Sequence, residues 1–201
     1  MSESLTAHDS TIREPLFDFL EEKYGKIRIL EEKQIGKVRA DVVMVTPDAL
    51  YGIEIKSDND SYTRLEAQVK NYNLYYDYNI VAVGSSHAGH IAEHVPEWWG
   101  IISVEEINGK LDFYVLREAK PNPKVKPAYK IKILWRPELA RIQAKNRLPV
   151  YKEKSKSFVQ KAVLDRVPEE ILWVQVSEEL FERDYNTIEN EIKEFKGKKK
   201  K

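Results

Sequence analysis

Residues 38–58 read VRADVVMVTPDALYGIEIKSD, and the alternation within this stretch decides the fold. Val38 to Val45 and Leu50 to Lys56 are rich in Val and Ile and repeat with a period of two, and Thr46-Pro47-Asp48-Ala49 between them is a turn signal. In the second run Gly52, Glu54 and Lys56 share one face, while Tyr51, Ile53 and Ile55 share the other. In the first run Arg39, Asp41 and Val43 lie together on one face. A hairpin turning about Pro47-Asp48 puts Asp41 directly opposite Glu54. A slip of one residue would send Asp41 to the other face, so everything that follows depends on the register.

Two like charges opposite one another on a sheet cost from a few tenths to about 1 kcal/mol, and more when partly buried. A divalent cation between the carboxylates offsets that cost, because hard cations take oxygen ligands and Mg²⁺ commonly uses one or two carboxylates with waters and substrate phosphate. Lys56 puts a point charge on the same face, where it can polarise a water or steady charge developing on a phosphate. The rival account is a cross-strand salt-bridge ladder of Arg39, Asp41, Glu54 and Lys56 with no ligand at all.

On either side of this hairpin the pattern is that of an α/β chain. Ile12, Leu16, Leu20 and Tyr24 recur every four residues, the stripe of an amphipathic helix near Thr11 to Tyr24. Thr11 and Glu14 have capping-box spacing, which places Pro15 in the first turn. Ile27 to Ile35 reads as a strand, so three strands form an antiparallel meander. Asp58 or Asp60 then caps a helix running to about Tyr76, with Leu65, Val69, Tyr72 and Tyr76 on its apolar side. Asn79 to Gly84 is a buried strand, Ser86 to His94 a short helix closed by Pro96, and Gly100 to Val104 and Leu111 to Leu116 are strands joined through Asn108-Gly109, a strong hairpin signal. These elements make an α/β layer around a mixed central sheet.

Past Arg117 the character changes. PNPKVKP at 121–127 is a proline-broken linker, and helices are expected over Pro137 to Lys145, Ser157 to Arg166 and Pro168 to about Phe195, the last interrupted near Asp184. Two regions follow, 1–116 and a basic, mostly helical 117–201. The formal net charge of zero conceals their difference: residues 1–100 hold 10 basic and 17 acidic side chains, residues 101–201 hold 23 and 16, and between Arg117 and Arg166 there are 15 against 4. Tyr129, Trp135 and Tyr151 are interleaved with those charges, which suits a polyanion as partner as well as it suits a solvated surface. The Lys196 to Lys201 tail reads as solvated surface.

With 201 residues and 42% hydrophobic side chains the chain can build a real core. It has no cysteine, which excludes disulfides, thiolate nucleophiles and cysteine-ligated metals and fits a reducing, cytoplasmic compartment. No apolar run approaches the roughly 20 residues of a membrane helix, and the opening MSESLTAHDS has neither a basic nor an apolar signal region. Neither a membrane nor a secretory route is expected. Gly84-Ser85-Ser86 lacks a Walker lysine and no GxGxxG occurs, so no nucleotide cofactor is expected. His87, His90 and His94 have helical spacing without a fourth ligand and read as surface, with zinc as the rival. Trp98-Trp99 reads as a core plug, with base stacking as the rival.

Arg39-Ala40-Asp41, then Glu54-Ile55-Lys56-Ser57-Asp58, then Arg64-Leu65 and Gln68 on the following helix, resembles the PD-(D/E)XK, or restriction-endonuclease-like, nuclease superfamily. The likeness covers roughly residues 10–105 and is closest to a bacterial and prophage branch. Ala40 stands where the motif name places proline, which leaves the metal ligand itself intact. The resemblance implies a restriction-endonuclease-like core with a mixed sheet flanked by helices, followed here by a C-terminal helical extension. It implies Mg²⁺ or Mn²⁺ on Asp41 and Glu54 with the Ile55 carbonyl as third ligand, and Lys56 activating the attacking water. Glu14 is the candidate for a further carboxylate from the first helix, although its spacing from Thr11 favours a cap. Arg64, Gln68, Arg39, Ser57 and Asp58 are the candidates for substrate contact, with Ser57, Asp58 and Asp60 also suited to building the turn. The expected activity is metal-dependent hydrolysis of phosphodiester bonds in nucleic acid, DNA before RNA, and a homo-oligomer is compatible with it. The alternatives are a non-catalytic nucleic-acid-binding or adaptor protein on the same scaffold, and a scaffold in a phage or defence assembly.

Overall fold

The structure is a computed structural model and describes residues 9–184. It divides into two compact units, residues 1–125 and 126–201. The first is built on a sheet of six strands in the order of the chain: β1 (Arg28–Ile35), β2 (Val38–Val45), β3 (Leu50–Lys56), β4 (Tyr78–Gly84), β5 (Gly100–Ile107) and β6 (Lys110–Arg117). The β1/β2, β2/β3 and β5/β6 pairs are antiparallel and the β3/β4 and β4/β5 pairs parallel, so the sheet is mixed and open. The meander has the expected register: β2 and β3 pair Val45 with Leu50, Met44 with Tyr51, Val43 with Gly52 and Val42 with Ile53. At the Asn108-Gly109 turn φ is 54° and 75°, the left-handed pair that a two-residue hairpin demands.

Each parallel step needs a crossover, and helices supply them. Helix α2 (Leu65–Tyr75) connects β3 to β4, and α3 (Ser85–Ala88) followed by a 3-10 turn (Ile91–Glu93) connects β4 to β5. Helix α1 (Asp9–Tyr24) covers one sheet face, where Ile12, Leu16 and Leu20 bury fully against Val42, Met44, Ile53, Ile55, Ile80, Ala82, Ile102 and Val104. The other face carries Gly52, Glu54 and Lys56 toward α2. Gly52 is needed there: a Cβ on it would lie 2.1 Å from Tyr76 Cδ2 and 2.7 Å from Tyr72 Cδ1, so its bare backbone is what lets both rings lie on β3. Trp99, fully buried, packs 5.6 Å from the Tyr72 ring and donates its indole N–H to Asn73 Oδ1 at 2.8 Å, the core plug expected of it.

Several local expectations are corrected. Helix α1 already includes Asp9, so Thr11 is no N-cap and Pro15 lies inside the helix rather than in its first turn. A 3-10 turn (Tyr62–Arg64) precedes α2, which therefore begins later than Asp58 or Asp60 would start it. The helix expected over 86–94 is broken into two short pieces. Residues 118–125 belong with the sheet unit: Asn122 is buried and its side-chain N–H groups donate to the Asn73 and Tyr76 carbonyls at 2.9 and 2.7 Å. The compact units part after Val125, within the proline-broken linker at 121–127.

The second unit holds α4 (Pro127–Lys130), α5 (Arg136–Lys145), α6 (Lys156–Leu164) and α7 (Glu169–Phe181). Ser155 caps α6, its Oγ accepting the Phe158 N–H at 3.2 Å. The part of the expected last helix beyond Asp184, and the lysine tail, lie outside the described residues. Among the described residues no helix is long and apolar enough to cross a membrane.

Candidate active site

The site forms where β2 parts from β3. The β1/β2 register steps from Glu31 opposite Val42 to Lys33 opposite Ala40, and the β2/β3 register ends at Val42 opposite Ile53, so neither ladder pairs Asp41. Glu32, the residue that would face Asp41 in β1, has φ 49°, a left-handed conformation costly for a glutamate. Side chains take over the Asp41 backbone: its N–H donates to the Tyr72 hydroxyl at 3.2 Å, and its carbonyl accepts from Arg13 Nη1 at 3.4 Å. The Asp41 carboxylate in turn replaces the next rung of the ladder, Oδ2 accepting the Ile55 N–H at 3.0 Å. A strand residue presents its N–H and C=O to the same edge, so the Ile55 carbonyl also points to the edge where Asp41 sits.

Glu54 is 1% exposed and Lys56 4%. The Lys56 ammonium donates to Glu54 Oε1 at 2.6 Å and to Gln68 Oε1 at 3.3 Å, and Gln68 Nε2 closes the triangle by donating to the same Glu54 oxygen. Glu54 Oε2 accepts from the Tyr72 hydroxyl at 2.7 Å. Tyr72 therefore touches both acidic residues, Glu54 through its carboxylate and Asp41 through its N–H. Burial, and after it the fields of the Glu54 and Asp41 carboxylates, hold the Tyr72 phenol well above its ordinary value. It stays protonated and keeps donating.

Asp41, Glu54, Ile55, Lys56 and Gln68 are thus brought together. Tyr72 is buried in the core as its place on the helix predicts, and its hydroxyl is at the same time a polar member of the site. The available signal was its position four residues after Gln68, on the same side of the helix. Arg13, from α1, was not singled out; its Nη1 also pairs with Glu31 at 3.1 Å. The other candidates lie elsewhere. Glu14 is exposed on α1. Arg39 is exposed and pairs with Glu32 at 3.1 Å. Arg64 is exposed at the end of the 3-10 turn. Ser57 donates its hydroxyl to Asp60 Oδ2 at 2.7 Å, which shapes the turn. Asp58, rather than starting α2, accepts the Ser86 N–H at 3.0 Å and so anchors the loop after β4.

His90 is exposed and His87 and His94 flank the Tyr62 ring at 4.9 and 4.2 Å, an aromatic cluster in place of a metal site. Among the described residues no three His, Cys, Asp or Glu side chains are grouped to hold a metal. The donors at Asp41, Glu54 and the Ile55 carbonyl are nevertheless all hard oxygens, and both carboxylates act on the Tyr72 phenol. That donor chemistry fits Mg²⁺ or Mn²⁺.

A family model described as Bacteriophage P4 protein cII matches residues 2–199. The phage association expected from the sequence agrees with that match. No curated protein and no solved structure matches the chain.

Proposed function

The chain belongs to the bacteriophage P4 protein cII family, and from the geometry of its acidic strand pair we propose that it is a metal-dependent nuclease hydrolysing phosphodiester bonds, with DNA as the favoured substrate and a restriction-endonuclease-like core as its scaffold. The observation that carries this is the meeting of Asp41 and Glu54 through one phenol, beside Lys56, at the point where β2 parts from β3. Asp41, Glu54 and the Ile55 carbonyl would hold the cation. A divalent cation there supplies Lewis-acid polarisation of a phosphoryl oxygen.

The chain's own groups do the rest. Lys56 holds the attacking water or steadies charge on the phosphate, and Gln68 fixes the direction of its ammonium. Tyr72 holds one Glu54 oxygen while Lys56 and Gln68 hold the other, which fixes the orientation of the carboxylate. Exposed Arg64 and Arg39 meet the nucleic-acid backbone, while Ser57 and Asp58, committed to Asp60 and Ser86, shape the loop beside the site.

The test is supercoiled plasmid with Mg²⁺ or Mn²⁺, comparing wild type with Asp41→Asn and Lys56→Met. Nicking should fall about 100-fold or more in each variant, the scale of a lost acid–base or electrostatic group. Equal activity in all three proteins refutes the assignment.

One observation favours a second function, a non-catalytic nucleic-acid-binding or adaptor protein: both oxygens of Glu54 already accept hydrogen bonds from the chain itself. Melting curves with and without Mn²⁺ separate the two. A nuclease gains stability with Mn²⁺ in the wild type and not in Asp41→Asn, whereas a binding module gains none in either.

A further inference from the structure

We propose that the second unit carries a binding surface for single-stranded nucleic acid, formed by Tyr151, Phe158 and the cations around them. Binding there deepens the nuclease reading by naming the form of the substrate, and rests on that reading only for what happens to the strand once bound. Phe158, in the first turn of α6, is 43% exposed and Val150 60%, so apolar surface faces solvent in the most basic part of the chain. The Tyr151 and Phe158 rings meet edge to face with centroids 5.1 Å apart. Lys154 Nζ lies 5.4 Å from the centre of the Phe158 ring, and the Arg166 guanidinium 5.8 Å from that of Tyr151. Between residues 151 and 166 Lys152, Lys154, Lys156, Lys161 and Arg166 face only Glu153 and Asp165 in charge count.

The rings are held in place beforehand. Arg166 donates to the Tyr151 hydroxyl, Arg136 donates to the Tyr151 carbonyl, and the Ser155 cap fixes the turn that carries Phe158. Fixed aromatic faces beside cations are what a single strand requires: bases stack on the rings while the cations neutralise phosphates. A duplex keeps its base faces stacked internally and gives the rings nothing to cover. A membrane would need a wider apolar patch than one phenylalanine and one valine. A second pair of the same kind, Lys132 Nζ at 4.3 Å from the Tyr129 ring, is tied to α6 through the Lys156 ammonium on the Lys132 carbonyl at 3.1 Å. The surface therefore extends beyond one base.

Fluorescence anisotropy with a labelled 20-mer of thymidylate, in EDTA so that no cleavage intervenes, tests this. Phe158→Leu, which keeps an apolar side chain and removes the π face, should weaken binding about tenfold, and Phe158→Trp should restore it. Lys152→Glu with Lys154→Glu should weaken binding and flatten its dependence on salt. A duplex of the same length should bind less well and ignore Phe158→Leu. Wild-type affinity for the 20-mer in Phe158→Leu overturns the proposal, as does equal affinity for the duplex, or binding to phosphatidylserine vesicles with none to the oligonucleotide. A wild-type protein that binds the 20-mer but cleaves no plasmid with Mg²⁺ or Mn²⁺ sinks only the nuclease assignment, and one that cleaves plasmid but does not bind the 20-mer sinks only this surface.

Discussion

Glu54 and Glu138 are both buried acids paired with a cation, one in the sheet unit and one in the helical unit, and their surroundings differ in one respect. Glu138, near the start of α5, accepts the Trp135 N–H at 2.6 Å and receives Arg183 in bidentate fashion, Nε on Oε1 at 2.6 Å and Nη2 on Oε2 at 2.8 Å. Arg183 also lies 4.3 Å from the Trp135 ring centre and donates to the Ile133 carbonyl at 3.3 Å. One negative charge meets one positive charge, and the pair clamps the chain just after α7 onto α5. Glu54 meets one ammonium as well, but its second oxygen accepts from the Tyr72 hydroxyl, which also takes the Asp41 N–H, so a second acid stands beside the pair. Burial of an acid alone does not mark a site; a second acid gathered on the same buried hydroxyl does.

The largest effect that could break this contrast is on stability. Glu138→Gln leaves the Arg183 guanidinium, 1% exposed, without its countercharge and should cost about 3–5 kcal/mol in urea denaturation. Glu54→Gln keeps an acceptor for Lys56 and Tyr72, with the Gln68 oxygen still on the same ammonium, so it should cost less than about 2 kcal/mol while removing the Mn²⁺-linked stabilisation. If Glu54→Gln is the more damaging of the two, the Glu54 cluster is a structural pair like the other.

The sheet unit is the more legible of the two regions because its information is local. The period of two across Val38 to Lys56, with Pro47-Asp48 between the runs, determines which residues face Gly52 and Ile53, and the observed pairs follow that register. The Asn108-Gly109 turn and the stripe of Ile12, Leu16 and Leu20 are local in the same way. Where expectation failed, the partner lies far along the chain. Asp58 bonds Ser86 rather than its own turn, and Tyr72 bonds Glu54 although its neighbours on the helix mark it as core. Arg183 reaches Glu138 across 45 positions, and no spacing rule spans such a distance. The departure of Asp41 from both ladders depends on the left-handed Glu32, a conformation that no residue-type signal at that position announces.

A middle-sized effect links fold to site. Gly52→Ala forces a methyl group to within 2.1 Å of Tyr76 and 2.7 Å of Tyr72, and overpacking of this kind costs about 1–3 kcal/mol. Because the Tyr72 hydroxyl is the shared contact of Asp41 and Glu54, the same substitution should also lower Mn²⁺-linked stabilisation. Tyr72→Phe separates the two consequences, since it leaves the packing and removes only the hydroxyl. A Gly52→Ala protein that loses stability but keeps its full response to Mn²⁺ would show that the ring position does not matter to the acids.

The smallest effect is a slope with pH, and the two units should differ in its sign. In the sheet unit burial pushes Tyr24 up to about 12 and raises Tyr51, Tyr72 and Tyr76 as well. The folded chain keeps those phenolic protons above the ordinary value of about 10 while the unfolded chain releases them, so stability in this unit falls as pH rises from about 10 toward 12. In the helical unit, desolvation of the Lys156 ammonium pulls it below the ordinary lysine value. There the unfolded chain binds the extra proton, and stability rises with pH below the ordinary lysine value of about 10.4, where this contribution levels off. Fluorine NMR of 5-fluorotryptophan-labelled protein reports on both at once, through Trp99 in the sheet unit and Trp135 beside Arg183. The Trp99 resonance should broaden or shift first on titration to alkali while that of Trp135 holds; simultaneous loss would mean that the phenols around Glu54 do not set the alkaline limit of their unit.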